Sequence, residues 1–379
     1  MAHTSSLAVA LVRPAIPLAA PAAATPATSG RVAFVEPAES FLRFAIRNFL
    51  LTLATCGVYY FWARVEARKR LMGALSIDGT PLTYTGSGRE GFTTFMVAAL
   101  VAAPAVIWSI GHIPMALAGG GDGGTGLPIP SSFRAQRLFF SIPLMFFIGS
   151  AVYRRRTHIL RRTWLAGRRF NLTGDAWSYA LRHVTTAFTV PPTLGWLGPW
   201  RMNRLGARLV REMTFDGQPF HYTGSARGLY RHFTTLWVGG LGLYLATLLA
   251  AGVVIGHELM LAAETKSLGP LLAPHVAWRG LPIIATGLLA FAVLARAYRA
   301  EYLNHHVSHV VCGQTRLSLR VPALHYAATS LGGSAMKLLT FGALTPVADA
   351  QMLRLIARHL DIAGPPLVPA VAPAPVHRV

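Results

Sequence analysis

A block of this chain is written twice, and that repetition constrains the fold more than any local signal does. One copy, "TCGVYYFWARVEARKRLMGALSIDGTPLTYTGSGREG", begins at Thr55, and the other, "TLGWLGPWRMNRLGARLVREMTFDGQPFHYTGSARG", begins at Thr193. Gly57, Trp62, Asp78, Gly79, Tyr84 and Gly86 recur as Gly195, Trp200, Asp216, Gly217, Tyr222 and Gly224, always at the same separation. A third, fainter copy begins near Leu317 and carries "LLTFGALTPVADAQMLRLIARHL", with Gly342 in the glycine position. A fixed offset of this kind means that one supersecondary unit is used more than once.

Composition then names the solvent. Of 379 residues, 53% are hydrophobic and only 13% are charged, against about 25% charged in soluble proteins. The net charge is nevertheless +21, from 35 Lys and Arg against 14 Asp and Glu. Nucleic-acid binders are basic too, but they are not this apolar. Positive charge flanking apolar runs is the pattern of a multi-pass protein on its cytoplasmic face. The expected partners are therefore membrane lipids, anionic ones above all, and not nucleic acid. Two cysteines, Cys56 and Cys312, lie far apart and imply neither a disulfide framework nor a metal cluster.

No formal charge interrupts Phe92–Ala118, Leu138–Tyr153, Phe233–Gly256 or Gly280–Ala295. These read as four transmembrane helices in two pairs, the shorter members relying on flanking arginines to reach the interface. The chain accordingly divides into an Ala/Pro-rich arm expected to be disordered (1–30), repeat 1 with its helix pair (31–153), repeat 2 with its pair (154–299), a degenerate repeat 3 (300–363) and a disordered tail (364–379). Within each repeat, Asp-Gly between short alternating segments predicts a hairpin, since a type I′ turn needs φ > 0 at both central residues. Short β-ribbons at the cytoplasmic surface are the expectation.

The core segment of each repeat, such as Asn48–Ala63, is apolar but basic on both flanks. A single crossing would expose arginines outside in either orientation. A segment that enters and returns keeps Arg43, Arg47, Arg64 and Arg68–Arg70 inside, and a helix breaker stands where the return should be: Gly57, Gly195 and Gly342. The fold class expected is a mainly α-helical membrane protein with four full transmembrane helices and three re-entrant or interfacial helical hairpins. Seven transmembrane helices is the alternative. Both termini are expected in the cytoplasm.

Asn48, "LLTLATCGVYYFWARVEARKRL", and the later Asp78-Gly79 and Tyr84-Thr85-Gly86 resemble the YjgN-like family of bacterial inner-membrane proteins, a domain of unknown function. The resemblance runs from about Phe34 to Asp361. Copy two departs from it with "WLGPW" for "VYYFW", and copy three has Val347 where the tryptophan should be. What the resemblance implies is a place in the bacterial inner membrane; it carries no activity, cofactor or catalytic residue.

Chemistry is sparse. His305 and His309 have the i, i+4 spacing of a metal pair but lack a convincing third ligand, and His257-Glu258 fails as HExxH because Leu261 replaces the second histidine. No cofactor motif, acid–base pair or activated nucleophile emerges, so no metal or cofactor is assigned and an enzyme is not expected. Arg64, Arg68, Arg204 and Arg208, beside Trp62 or Trp200, are the candidates for an anion or lipid headgroup. Lys337 lies in the third apolar stretch and is an intramembrane ionisable candidate, with His112 and His183 beside it as weaker ones. Two functions follow: movement or handling of an anion or lipid, or a non-transporting scaffold that organises partners or anionic lipid at the cytoplasmic face.

Overall fold

The computed structural model describes residues 32–93 apart from 38, a few positions between 95 and 103, residues 131–265, 267 and 274–367. The expected arm at 1–30, residues 368–379 of the tail, most of the first apolar segment (92–118), His112 and the glycine-rich stretch after it lie outside the described residues.

Ten short strands alternate with helical excursions. The strands are β1 (Val32–Phe34), β2 (Leu75–Ile77), β3 (Thr80–Tyr84), β4 (Thr163–Leu165), β5 (Arg168–Leu172), β6 (Met213–Phe215), β7 (Gln218–Tyr222), β8 (Val310–Cys312), β9 (Thr315–Leu319) and β10 (Leu360–Ala363). Each pairs antiparallel with the next, in sequence order. Tight turns join β2 to β3, β4 to β5 and β6 to β7. Their central residues have positive φ: Asp78 (50°) and Gly79 (78°), Ala166 (50°) and Gly167 (75°), Asp216 (51°) and Gly217 (79°). The Asp-Gly pairs are therefore turns as expected, and Ala166-Gly167 is one that the sequence does not advertise.

The ribbons are not separate. Phe34 pairs with Leu75, Tyr84 with Thr163, Leu172 with Met213, Tyr222 with Val310 and Leu319 with Leu360, so all strands join one sheet. The first and last strands come back alongside each other, and Val32 packs with Ile77, Leu317 and Ile362. The expectation of isolated surface ribbons is corrected to a nearly closed ten-stranded sheet. The reason is physical: three-residue strands bury too little alone, and joining them edge to edge satisfies the backbones of all but the outer edges of β1 and β10. Leu82, Leu165, Phe215, Phe220 and Cys312 fill its core.

At one end of this sheet the turns cluster; at the other, five helical excursions leave and return. Their bases are closed by the same backbone bond: Val35 N–H to the Ala74 carbonyl, Thr85 to Arg162, Thr173 to Glu212, Thr223 to His309 and Arg320 to His359. The described residues thus form five units in which two strands flank an excursion that is mainly helical where it is described. The long apolar pair between Tyr222 and Val310 takes the same place in this plan as the short hairpins.

The first unit carries α1 (Phe41–Ala54) and α2 (Tyr60–Gly73). The second is helical from residue 88 and returns through α3 (Ser131–Arg161). The third carries α4 (Ala176–Ala187) and α5 (Gly198–Arg211), the fourth α6 (Arg227–Thr265) and α7 (Pro274–Ser308), and the fifth α8 (Ala323–Leu339) and α9 (Thr345–Arg358). Only α6 and α7 are, among the described residues, long and apolar enough to cross a membrane by that measure. None of the three core segments is one continuous helix, as the seven-helix alternative requires. Each reverses at a pair in left-handed conformation: Cys56 and Gly57, Leu194 and Gly195, Phe341 and Gly342.

Candidate anion site at the base of the short hairpins

Unit three shows how the sequence builds a site. Asp175 starts α4 by accepting from the Ser178 N–H at 2.8 Å, and Pro199 opens α5 in its first turn, where a missing N–H costs nothing. Leu205 and Leu209 bury the inner stripe of α5 against Tyr153, Leu172 and Tyr179. The arginines at i, i+4 and i+7 from Arg204 are then forced onto another face.

Arg204, Arg208 and Arg211 line a cavity of about 660 Å³ together with Arg182 from α4, Trp200 and Glu212. A second cavity of about 370 Å³ shares Arg182, Trp200 and Arg204 and continues up α4 past Leu181, Thr185 and Thr189. Arg201, one turn before Arg204, turns away. Its guanidinium contacts the His183 ring at 3.2 Å, where burial and then the Arg201 charge hold the histidine below its ordinary value.

The four cavity arginines are not equivalent. Arg208 is a strut: its Nε donates to Glu212 at 2.6 Å, and its other nitrogens donate to the Ser178 carbonyl and hydroxyl at 3.1 and 2.9 Å. Glu212 also accepts from the Tyr153 hydroxyl at 2.7 Å. The Arg204 guanidinium lies 5.0 Å from the Trp200 ring centre. That contact fixes its plane without neutralising it. Among the described residues, no carboxylate forms an ion pair with Arg182, Arg204 or Arg211.

In unit one the other two candidates take a different form. Arg64 donates to the Tyr60 hydroxyl at 3.3 Å and Arg68 to the Tyr84 hydroxyl at 3.2 Å. Arg155 of α3 stands within electrostatic reach of both. The register that matches Gly57 to Gly195 sets Met202 opposite Arg64 and Gly206 opposite Arg68, so the structure does not bring the four candidates to one shared position. The arginine the copies do share, Arg70 and Arg208, is tied to a carboxylate in each, Glu39 for Arg70 at 2.6 Å. Copy three has buried Leu355 there.

Residues 29–375 match the model of a family described as a bacterial protein of unknown function. The chain belongs to that family, DUF898. No curated protein and no solved structure matches it. What the DUF898 chain can do is therefore read from its own geometry. Gly57, Gly195 and Gly342 sit in the hairpin turns, and Lys337 pairs with Asp349 at 2.6 Å. The His305 and His309 rings lie with centres 4.3 Å apart and planes tilted by 40°, but among the described residues no group of three or more His, Cys, Asp or Glu is placed to hold a metal.

The hairpin tips are apolar and bare. Leu53, Leu194, Leu338, Leu339 and Phe341 are between 66% and 94% exposed. Single exposed leucines are ordinary on a soluble surface; three equivalent tips carrying them next to basic bases are not.

Proposed function

We propose that this DUF898 protein is a multi-pass protein of the bacterial inner membrane that handles anionic lipid from the cytoplasmic side. In this reading the sheet lies in the cytoplasm, the two long units cross the bilayer as four helices, and the three short hairpins dip into the near leaflet. The basic flanks of every unit then stay inside, in line with the bias of cytoplasmic loops.

One contact carries the reading. The Trp237 indole N–H donates to the Leu194 carbonyl at 3.0 Å, and Trp196 packs on Tyr230, Phe233 and Trp237. This ties the tip of the third unit to a level on α6. Trp237 lies only about 6 Å beyond Phe233, the first residue of the apolar run, at ~1.5 Å per residue. A tip at that level stops in the near leaflet of a core about 30 Å thick. Tryptophans cluster at such boundaries.

Handling of lipid fits better than an aqueous path through the sheet, because Leu82, Leu165, Phe215 and Phe220 occupy its interior. Thiol labelling with a membrane-impermeant reagent tests the topology. Arg43→Cys and Lys69→Cys, each in a background without Cys56, should label from the same face of the membrane. Labelling from opposite faces would end the proposal.

A further inference from the structure

We propose that the cavity walled by Arg182, Arg204 and Arg211 binds the phosphate of an anionic glycerophospholipid that enters sideways from the near leaflet. The inference rests on the membrane reading above for the source of the phosphate, and on this chain's own charges for the site.

Three guanidiniums converge on one cavity with no carboxylate paired to any of them among the described residues. Glu212, the acid in the cavity wall, is held by Arg208 and by Tyr153. Like charges gathered in a recess repel one another, and a bound anion removes that cost. Guanidiniums answer a phosphate with paired N–H donors in a fixed fork. The brace of Arg208, Glu212 and Ser178 ties α5 to α4, so the two walls hold their spacing without a ligand. Trp200 keeps Arg204 in place by its ring face.

The shape chooses a lipid over a soluble phosphate. The second cavity runs from the shared Arg182–Trp200–Arg204 waist past Leu181, Thr185 and Thr189 towards the hairpin tip. Trp177 and Leu181 on the same helix are 56% and 59% exposed, and Leu194 at the tip is 78% exposed. The threonines beyond the waist donate their hydroxyls to α4 carbonyls, Thr185 to Arg182 at 3.3 Å and Thr189 to Thr186 at 2.8 Å, which leaves their methyls and the bare apolar residues to face an acyl chain. Unit three is also the only unit in its gap of the ring, with a long helical unit on either side. A lipid therefore approaches between two transmembrane pairs.

The test is native mass spectrometry of the full chain in a zwitterionic detergent, titrated with dioctanoyl phosphatidylglycerol, dioctanoyl phosphatidylcholine or inorganic phosphate. Wild type should retain phosphatidylglycerol about tenfold more strongly than the other two, a difference of ~1.4 kcal/mol. The double variant R204Q/R211Q should lose that preference, whereas R316Q, an exposed arginine on β9, should keep it. Thermal unfolding of both variants checks that the fold survives, and R182Q alone gives a second reading with one charge removed. Preference retained in R204Q/R211Q and in R182Q overturns the site while leaving lipid handling intact. Equal retention of phosphatidylglycerol and inorganic phosphate overturns the lipid as ligand. No preference in wild type overturns both the site and the lipid-handling reading.

Discussion

Lys337 Nζ stands 2.6 Å from Asp349 Oδ1, bridging the outgoing and returning helices of the fifth unit. A lysine in an apolar stretch looks from the sequence like an isolated charge; folded, it has its counter-ion one hairpin turn away. An exposed pair in water contributes little, about 0–1 kcal/mol, but a lone charge near the apolar tip is costly. Lys337→Met alone should therefore lower the unfolding temperature more than Lys337→Met combined with Asp349→Leu does. A double-mutant cycle reads this as a coupling of about 1 kcal/mol or more. Additive effects would mean that the pair does not hold the hairpin.

The five equivalent base bonds make the chain a ring whose missing turn is the gap between β10 and β1. A protein built this way should tolerate moving its break. A chain that joins Leu367 to Val32 by a short linker and opens at Ala166-Gly167 should fold and run as wild type by size exclusion. Opening it within α5 should not. Aggregation of the first permutant would mean that the sheet does not close.

Much of this plan is legible in the sequence, and the rest fails for definite reasons. The Asp-Gly turns and the three breaker glycines announce themselves because a positive φ restricts the residue choice. The sheet does not, because strands such as Thr163–Leu165 are three residues long and carry no period. A fixed offset also passes over the two long units, whose excursions differ in length from the short ones. Arg204 is findable beside Trp200. Arg208 could have been set aside, since Glu212 stands four residues on. Arg182 belongs to the other helix, and only the reversal at Gly195 brings it to the cavity.

Gly195 has φ +87° and open space where a Cβ would be, as do Gly57 and Gly342, apart from a distant Thr345 contact. Backbone strain alone should then set the cost of a side chain, about 1–2 kcal/mol. Gly195→Asn should be tolerated better than Gly195→Val, because asparagine enters the left-handed region more readily. Equal melting temperatures for the two variants would show that the turn is not held in this conformation.

Cys56 lies exposed at the first hairpin tip, whereas Cys312 is buried in the sheet. Burial also pushes the Cys312 thiol up, away from its reactive form. With the tip in the leaflet, a charged maleimide should leave intact membranes from either side unlabelled at Cys56. In detergent it should add one label per chain, lost in Cys56→Ser. Rapid labelling in intact vesicles would place this tip in water.

Tyr222 donates its hydroxyl to Asn203 Oδ1, while its counterpart in the other sequence copy, Tyr84, accepts from Arg68. Burial, helped by nearby Tyr302, pushes the Tyr222 phenol up to about 12. Tyr222→Phe leaves a buried carbonyl of Asn203 without its donor, a loss on the order of 1–3 kcal/mol. Tyr84→Phe removes only an acceptor from the half-buried Arg68 and should cost less. The sign with pH follows from linkage. An acid whose folded pKa is raised binds its proton more tightly folded than unfolded, so its stabilisation is complete below the unfolded value of about 10 and falls as pH rises from there to about 12. Wild type should lose melting temperature across that window faster than Tyr222→Phe does. Parallel curves would remove Tyr222 from the alkaline response and place the loss on the other buried tyrosines.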